Sequence, residues 1–230
     1  MPGRNIVKVI DKLVLFFMLL FLASLTNSIF INQVGYYGAL LLLIFRYYIT
    51  RENTSEKTGI EFALLWFLAA EILSLIFSLN QSQSLLYVTR RILLIPLIYV
   101  TIAAVPDLKR AKLFFLTFIV AAVVTSLIYI IFSYKYFIAN LYAVKQSGPS
   151  LFQYPITSSE ILSILSVFLF AFLINEKTDL KTKLLTSLAL FISIIALVAT
   201  YKRTGWMAAG FGFFIIILLK KEWKYLVPLV

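Results

Sequence analysis

The sequence predicts an all-α fold, a polytopic bundle of membrane-spanning helices, and three observations support this prediction. Of the 230 residues, 62% are hydrophobic and only 13% are charged, whereas a soluble domain has about a quarter charged residues. Long apolar runs alternate with short polar segments, and the basic residues cluster in those segments. A helix satisfies its backbone hydrogen bonds internally, so this pattern is typical of transmembrane helices.

The first half of the chain predicts four helices, at about residues 13–25, 34–49, 60–79 and 85–105. A basic segment precedes the first, but no small-residue cleavage motif follows it, which favours a retained helix over a signal peptide. Pro96 interrupts the fourth helix. Because proline has no backbone N–H, we expect a kink there.

The second half predicts four more helices, at about residues 113–132, 156–174, 184–200 and 205–219. A ninth apolar run begins at Tyr225 and has only six residues, which cannot cross about 30 Å at about 1.5 Å per residue. We therefore expect eight complete helices and the start of a ninth. They would form a single transmembrane domain, residues 1–230, as the N-terminal part of a longer protein.

The distribution of basic residues predicts the orientation. With a cytoplasmic N-terminus, fifteen of the 21 Lys and Arg residues fall in inner loops and flanks. Cytoplasmic loops of membrane proteins collect Lys and Arg, so this orientation is expected. The remaining six lie on the outer side: Arg90, Arg91, Lys135, Lys145, Lys202 and Arg203.

Composition also limits the kinds of catalytic and metal-binding site that the chain could form. The chain has no cysteine and no histidine, which removes thiolate chemistry, disulfides and the commonest general base and metal ligand. We expect no metal and no cofactor. The net charge of +11 is spread in clusters between apolar runs, which favours binding to membrane lipids rather than to nucleic acid. The many Tyr and Phe residues are interpreted as interfacial or packing residues.

Four outer cations form the candidate substrate-binding site: Arg90, Arg91, Lys202 and Arg203. An Arg at mid-bilayer costs about 2.5–3.5 kcal/mol on insertion scales. A charge-assisted hydrogen bond contributes about 1.5–3 kcal/mol, so a bound phosphate group would offset that cost, and the planar guanidinium suits phosphate. The alternative is that these side chains reach lipid headgroups or pair with acids.

Two acids are candidates for structural or relay roles. Glu71 lies in the middle of the third predicted helix and shares a face with Ser74 and Ser78. It would serve as an ion or proton relay, a partner for Arg90 or Arg91, or a local structural bond, of which we favour structural pairing. Glu160, early in the sixth helix, would balance an outer Arg, act as an acid or base, or support the helix start.

The segment 199–208, ATYKRTGWMA, resembles the Thr-x-Ser-Arg-x-x-Trp-Leu-Ala signature of the O-antigen ligase and O-antigen polymerase superfamily of bacterial envelope glycosyltransferases. Arg203 and Trp206 keep their places, whereas Lys202 replaces a small residue. Segments 32–35, 74–84 and 148–155 are also similar to family segments. The last departs from the pattern, because Gln153-Tyr154-Pro155 stands where the family usually has an Asn-Pro step.

The resemblance implies a metal-independent membrane glycosyltransferase of lipopolysaccharide or surface polysaccharide biosynthesis. It would transfer a glycan from undecaprenyl pyrophosphate to a sugar hydroxyl at the outer face of the bacterial inner membrane. The acceptor would be lipid A core for a ligase, or a growing glycan for a polymerase. Arg203 would bind the pyrophosphate and stabilise the leaving group, assisted by Arg90 or Arg91, and no catalytic base is identified.

Family members usually have ten to fourteen helices and an outer loop near the C-terminus that holds a functional His. This sequence has neither, so the resemblance implies an enzyme only if the chain continues, and we expect residues 1–230 alone to be inactive. Two other classes stay open. Glu71 and Pro96 would suit an ion-coupled transporter or flippase, and the lack of His would suit a non-catalytic membrane subunit.

Overall fold

The computed structural model describes residues 3–51, 59–141 and 148–220. Over these ranges the protein is 84% helix and has no strand, which confirms the predicted all-α class. Nine helices occur in the described ranges: α1 Gly3–Ser24, α2 Ile29–Thr50, α3 Glu61–Ile76, α4 Gln81–Ile92, α5 Pro96–Ala104, α6 Leu108–Ala139, α7 Pro155–Asn175, α8 Leu180–Ala199 and α9 Arg203–Lys220.

Six helical segments in the described part of the chain are long and apolar enough to cross a membrane, if α4 and α5 are counted together. They are Ile29–Thr50, Gln81–Ala104, Leu108–Ala139, Pro155–Asn175, Leu180–Ala199 and Arg203–Lys220. This number of apolar helices indicates a multi-pass membrane protein. The N-terminus-in orientation and the bacterial inner membrane stay predictions.

The predicted count of eight spans is not confirmed, because the first and third predicted helices fall short. The third, α3, has 16 residues, which at about 1.5 Å per residue gives roughly 24 Å of helix. In α1, Lys8, Asp11 and Lys12 interrupt the apolar character and leave about 12 uncharged residues, roughly 18 Å. The ninth run, from Tyr225, lies outside the described residues.

Just before Pro96, where the sequence predicts a kink, the α-helical hydrogen bonding is interrupted over residues 93–95. α4 ends at Ile92, and Pro96 is the first residue of α5, a position where its missing N–H costs nothing. Between them the backbone makes tighter three-residue hydrogen bonds, such as Leu94 N–H to Arg91 O at 3.0 Å. The phenol of Tyr36 donates to Leu93 O at 2.5 Å, so α2 satisfies a carbonyl at the break.

The chain divides into two compact units, of which the first comprises Met1–Phe21 and Ile31–Phe114. Here α1 and α2 approach closely at Gly35, where a Cβ atom would lie 2.7 Å from Phe21 N and 2.8 Å from Phe17 O. Such small residues let membrane helices pack backbone to backbone. Asp11 and Arg46 form an ion pair between the same two helices, with 2.9 Å between Oδ1 and Nε.

The second unit comprises Leu22–Phe30 and Phe115–Val230, and in it α7 packs against both α8 and α9. Ser166 of α7 and Ser193 of α8 are fully buried, and their hydroxyl oxygens lie 3.0 Å apart. The buried apolar core of this unit contains Ala122, Tyr129, Leu162, Leu165, Leu169, Ala189, Ala196, Leu197 and Ala209. The single domain predicted for residues 1–230 stays a prediction.

Asp179 caps the start of α8. Its carboxylate accepts hydrogen bonds from the Thr182 hydroxyl at 2.6 Å and from the Thr182 backbone N–H at 3.2 Å. Both bonds stabilise the charged carboxylate and so lower the pKa of Asp179 below its usual value. The bond from the hydroxyl has the larger effect and the bond from the backbone amide the smaller one. The helix therefore begins directly after Asp179, at Leu180, four residues before the predicted start at residue 184.

Candidate functional site

The α8–α9 turn, residues 199–206, lies within the segment 199–208 that resembles the glycosyltransferase signature. The carbonyl of Leu197 accepts from the Thr200 hydroxyl at 2.7 Å and from the indole N–H of Trp206 at 2.9 Å. The end of α8 is thus satisfied by a side chain from the first turn of α9. Trp206, noted in the sequence only for its resemblance, holds the two helices together at the turn.

Tyr201 has a backbone conformation that ends α8. Its φ of 54° lies in the left-handed region, which costs a residue other than Gly about 1–2 kcal/mol. The Tyr201 ring packs against that of Phe137 in α6, with 4.7 Å between the ring centroids. A left-handed residue after the last turn is a common way to end a helix, and here it lets α9 begin two residues later.

Arg203 is the first residue of α9 and is exposed, while Lys202 before it is half-buried. Among the described residues, neither cation forms an ion pair. A helix N-terminus also presents free N–H groups and the positive end of the helix dipole. Two cations at such a position favour binding of an anion such as phosphate.

A second family-like segment contacts this turn. The N–H of Gly148 donates to Thr200 O at 3.2 Å, and a Cβ atom at Gly148 would lie 2.5 Å from Ala199 O and 2.6 Å from Tyr129 Oη. Only glycine allows so close an approach. The fold therefore brings the 148–155 and 199–208 segments together. Lys145, predicted on the same side, lies outside the described residues.

Glu160 belongs to the same end of the second unit. α7 begins at Pro155, so Glu160 lies in its second turn rather than at the helix start, and its side chain is exposed. The preceding residue, Ser159, packs directly against Gly205 of α9. The structure thus places an acid on the helix that touches the first turn of α9, and in the described part of the chain this acid makes no ion pair.

Arg90 and Arg91 belong to the first unit, and within the described residues they differ in whether they form an ion pair. Arg91 pairs with Glu71 of α3, with 2.5 Å between Nη1 and Oε1. Glu71 is 8% exposed, whereas the Arg91 side chain is 58% exposed. Arg90 is exposed and has no ion-pair partner within the described ranges.

Glu71 therefore has one of the two partners considered from the sequence. Ser78, which the helical spacing placed on the same face as Glu71, hydrogen-bonds instead to Ser84, with 2.5 Å between the hydroxyl oxygens. Since Arg90 and Arg91 lie in the first unit and Lys202 and Arg203 in the second, a joint site of four cations stays a prediction.

Sequence reasoning missed a small pocket in the second unit, which we call the hydroxyl pocket. Its lining residues are Thr26, Ala122, Thr125, Ser126, Tyr129, Phe152, Ser158, Ile161 and Leu162. Tyr129 also touches the position that a Cβ would take at Gly148, so the pocket adjoins the 148–155 segment. The signal available in the sequence was the pair Thr125-Ser126 in the middle of an apolar helix.

No family model, curated protein or solved structure matches this chain. The class that the structure defines is a multi-pass α-helical membrane protein. At one end of its second unit, a cationic helix start, a close glycine contact and a hydroxyl-lined pocket lie next to one another.

Proposed function

We propose that this protein is a membrane glycosyltransferase of the O-antigen ligase type, which transfers a glycan from undecaprenyl pyrophosphate to a sugar hydroxyl. The single observation behind this proposal is the contact between the two family-like segments, through the Gly148 N–H and Thr200 O at 3.2 Å. These segments are 44 residues or more apart in the sequence, and segments that build one site have to meet in the fold.

Arg203 is the residue to which we assign the pyrophosphate. Its guanidinium is exposed and without an ion pair in the described structure, and it begins a helix whose dipole also favours an anion. In the reaction the acceptor hydroxyl oxygen attacks the anomeric carbon, and the bond from that carbon to the phosphate oxygen breaks. Negative charge grows on the pyrophosphate, where Arg203 and Lys202 stabilise it.

The proton of the attacking hydroxyl passes to a base that we leave unassigned. Lipid A core would be the acceptor for a ligase and a growing glycan for an O-antigen polymerase, and the donor is the same for both. In either case the reaction takes place at the outer face of the bacterial inner membrane, where the six outer cations were predicted.

The test replaces Arg203 in the chromosomal gene, so that the protein is made as the cell makes it. For Arg203→Ala, we expect transfer to fall about 10²–10³-fold, the usual effect of removing one donor that stabilises growing charge. Undecaprenyl-linked glycan should then accumulate in extracted lipids. Arg203→Lys keeps the charge without the planar fork and should give an intermediate rate.

Lys181→Ala is the matched control, because Lys181 is also an exposed cation near a helix start, but at α8 rather than α9. It should leave transfer unchanged. If Arg203→Ala transfers glycan at the parent rate while the protein level is equal, the proposed function is wrong.

A further inference from the structure

The first unit has a group of basic residues at the end where α1 begins and α2 ends. Lys8 and Lys12 lie one turn apart on α1 and are exposed, and neither forms an ion pair among the described residues. Arg46 lies one turn before the end of α2, and Arg51 directly follows that helix. Together with Asp11, these residues form what we call the basic cluster. It contains four cations and one carboxylate, a net charge of +3.

The ion pair between Asp11 and Arg46 brings the charges of the two helices together. Arg46 Nε lies 2.9 Å from Asp11 Oδ1, and the Arg46 side chain is 17% exposed. A guanidinium has five N–H donors, so this contact leaves Arg46 donors for a second acceptor. With about 3.6 residues per turn, positions 8, 11 and 12 of α1 fall within about 100° of one another. An anion bound by Lys8 and Lys12 would therefore lie on the side of α1 where Asp11 meets Arg46.

Exposed apolar side chains continue from the basic cluster along both helices. Phe16, one turn after Lys12 on the same face of α1, is 58% exposed, and Phe45 of α2 is 54% exposed. In a multi-pass membrane protein, such side chains contact lipid acyl chains. The Arg51 guanidinium lies over the ring of Tyr48, 6.0 Å from its centroid, and exposed Tyr is typical of the membrane interface. The ligand that fits is therefore amphiphilic, with an anionic head and apolar chains.

We propose that the basic cluster binds the headgroup of an anionic phospholipid. The lipid phosphodiester accepts hydrogen bonds from the ammonium groups of Lys8 and Lys12 and from N–H groups of Arg46 that Asp11 leaves unused. The acyl chains lie against the apolar side chains that follow on α1 and α2. With the predicted orientation the cluster lies at the cytoplasmic leaflet, whose anionic lipids attract basic segments. This inference does not depend on the glycosyltransferase proposal, because it involves no residue of that site.

Photolabelling of the full chain in phosphatidylcholine nanodiscs tests the binding. The probe is a trace of phosphatidylglycerol with a diazirine in the middle of one acyl chain, and the labelled residues are mapped by mass spectrometry. We expect labels to be enriched on residues 13–20 and 41–45, relative to Met207 and Phe211, which are exposed apolar residues of α9. Excess phosphatidylglycerol should remove this enrichment, whereas further phosphatidylcholine or inorganic phosphate should not.

The variant Lys8→Gln/Lys12→Gln should bind phosphatidylglycerol about 30-fold more weakly, because each basic residue near an anionic membrane surface contributes about fivefold in affinity. The affinity is read from the amount of phosphatidylglycerol that halves the enrichment. Lys8→Arg/Lys12→Arg keeps both charges and should bind at least as tightly as the parent. The matched control is Lys181→Gln/Lys183→Gln, which removes two exposed lysines on roughly opposite sides of α8 and should bind as the parent does.

Equal affinity of the Lys8→Gln/Lys12→Gln and parent proteins would overturn the proposal. So would a loss of the same size in the Lys181→Gln/Lys183→Gln control, which would mean that net charge alone attracts the lipid. Competition by phosphatidylcholine would show that only acyl chains are recognised, and competition by inorganic phosphate that any phosphate is bound; either result would also overturn the lipid site. Arg203→Ala should leave the labelling unchanged, so the glycosyltransferase proposal and the lipid site are tested by different measurements.

Discussion

The contact between Gly205 of α9 and Ser159 of α7 gives the sharpest test of the packing in the second unit. A Cβ atom at Gly205 would lie 2.8 Å from Ser159 Cβ and 3.0 Å from Ser159 O, whereas non-bonded carbons prefer about 3.5–4.0 Å. Gly205→Ala therefore requires α9 to move away from α7. Gly210 of the same helix is the matched control, since none of the described atoms beyond its own helix and its chain neighbours lies within 4 Å of its Cβ position.

Both substitutions gain helix propensity of up to about 1 kcal/mol, so this gain largely cancels between them. What remains is the overpacking cost at Gly205, about 1–3 kcal/mol. For a middle value of about 2 kcal/mol, the Tm of Gly205→Ala should be about 4–8 °C below that of Gly210→Ala in a protein of this size. Tryptophan fluorescence of the protein in nanodiscs measures both transitions.

Equal Tm values for the two alanine variants, or a higher value for Gly205→Ala, would refute this reasoning. That result would mean that α9 does not pack on Ser159 as described. The turn that presents Arg203 would then lack the support on which the candidate site depends.

Two further predictions concern single hydrogen bonds. Tyr36→Phe removes the donor to Leu93 O at the α4–α5 break and should lower the free energy of unfolding by about 1 kcal/mol, whereas Tyr37→Phe, exposed beside it, should have no effect in the same thermal assay. The pKa of Asp179 is lowered by its bonds from Thr182, so its cap should be complete above the unfolded-state pKa of about 3.9 and lost as the pH falls through the lower folded value. Amide exchange at Thr182, corrected for the intrinsic rate, measures this loss. Asp179→Asn should keep the cap without the pH dependence. The same pH dependence in that variant would contradict the assignment of the cap to the Asp179 carboxylate.

Much of the secondary structure was predictable because a bilayer imposes a local rule. The helices predicted at residues 156–174 and 205–219 agree closely with α7 and α9, since apolar length alone marks a span. Where local rules compete, the prediction was less good. The charges at Lys8, Asp11 and Lys12 weaken the first predicted span, and Pro96 divides the fourth predicted helix into α4 and α5.

The candidate site was only partly predictable. Arg203 and Lys202 were predicted as site residues because placing a cation beside an apolar run is energetically unfavourable. The sequence did not show which of Arg90 and Arg91 would pair with Glu71. The structure pairs Arg91 with Glu71, 20 residues away, and helical spacing alone does not show which guanidinium reaches across to another helix. Tyr129 was not predicted, because no sequence pattern distinguishes this buried residue from the rest of the 13 Tyr residues.

That the protein is helical and multi-pass was predictable from the order of residues, because backbone groups in hydrocarbon have to be satisfied within each segment. The cations at the α8–α9 turn were also visible in the sequence. Which distant groups meet became visible only in the packed fold. The contact of Gly148 with Thr200, and the pairing of Thr26 with Thr125, join residues separated by 52 and 99 positions. Such contacts depend on how helices pack side by side, and packing leaves little trace in the local order of residues.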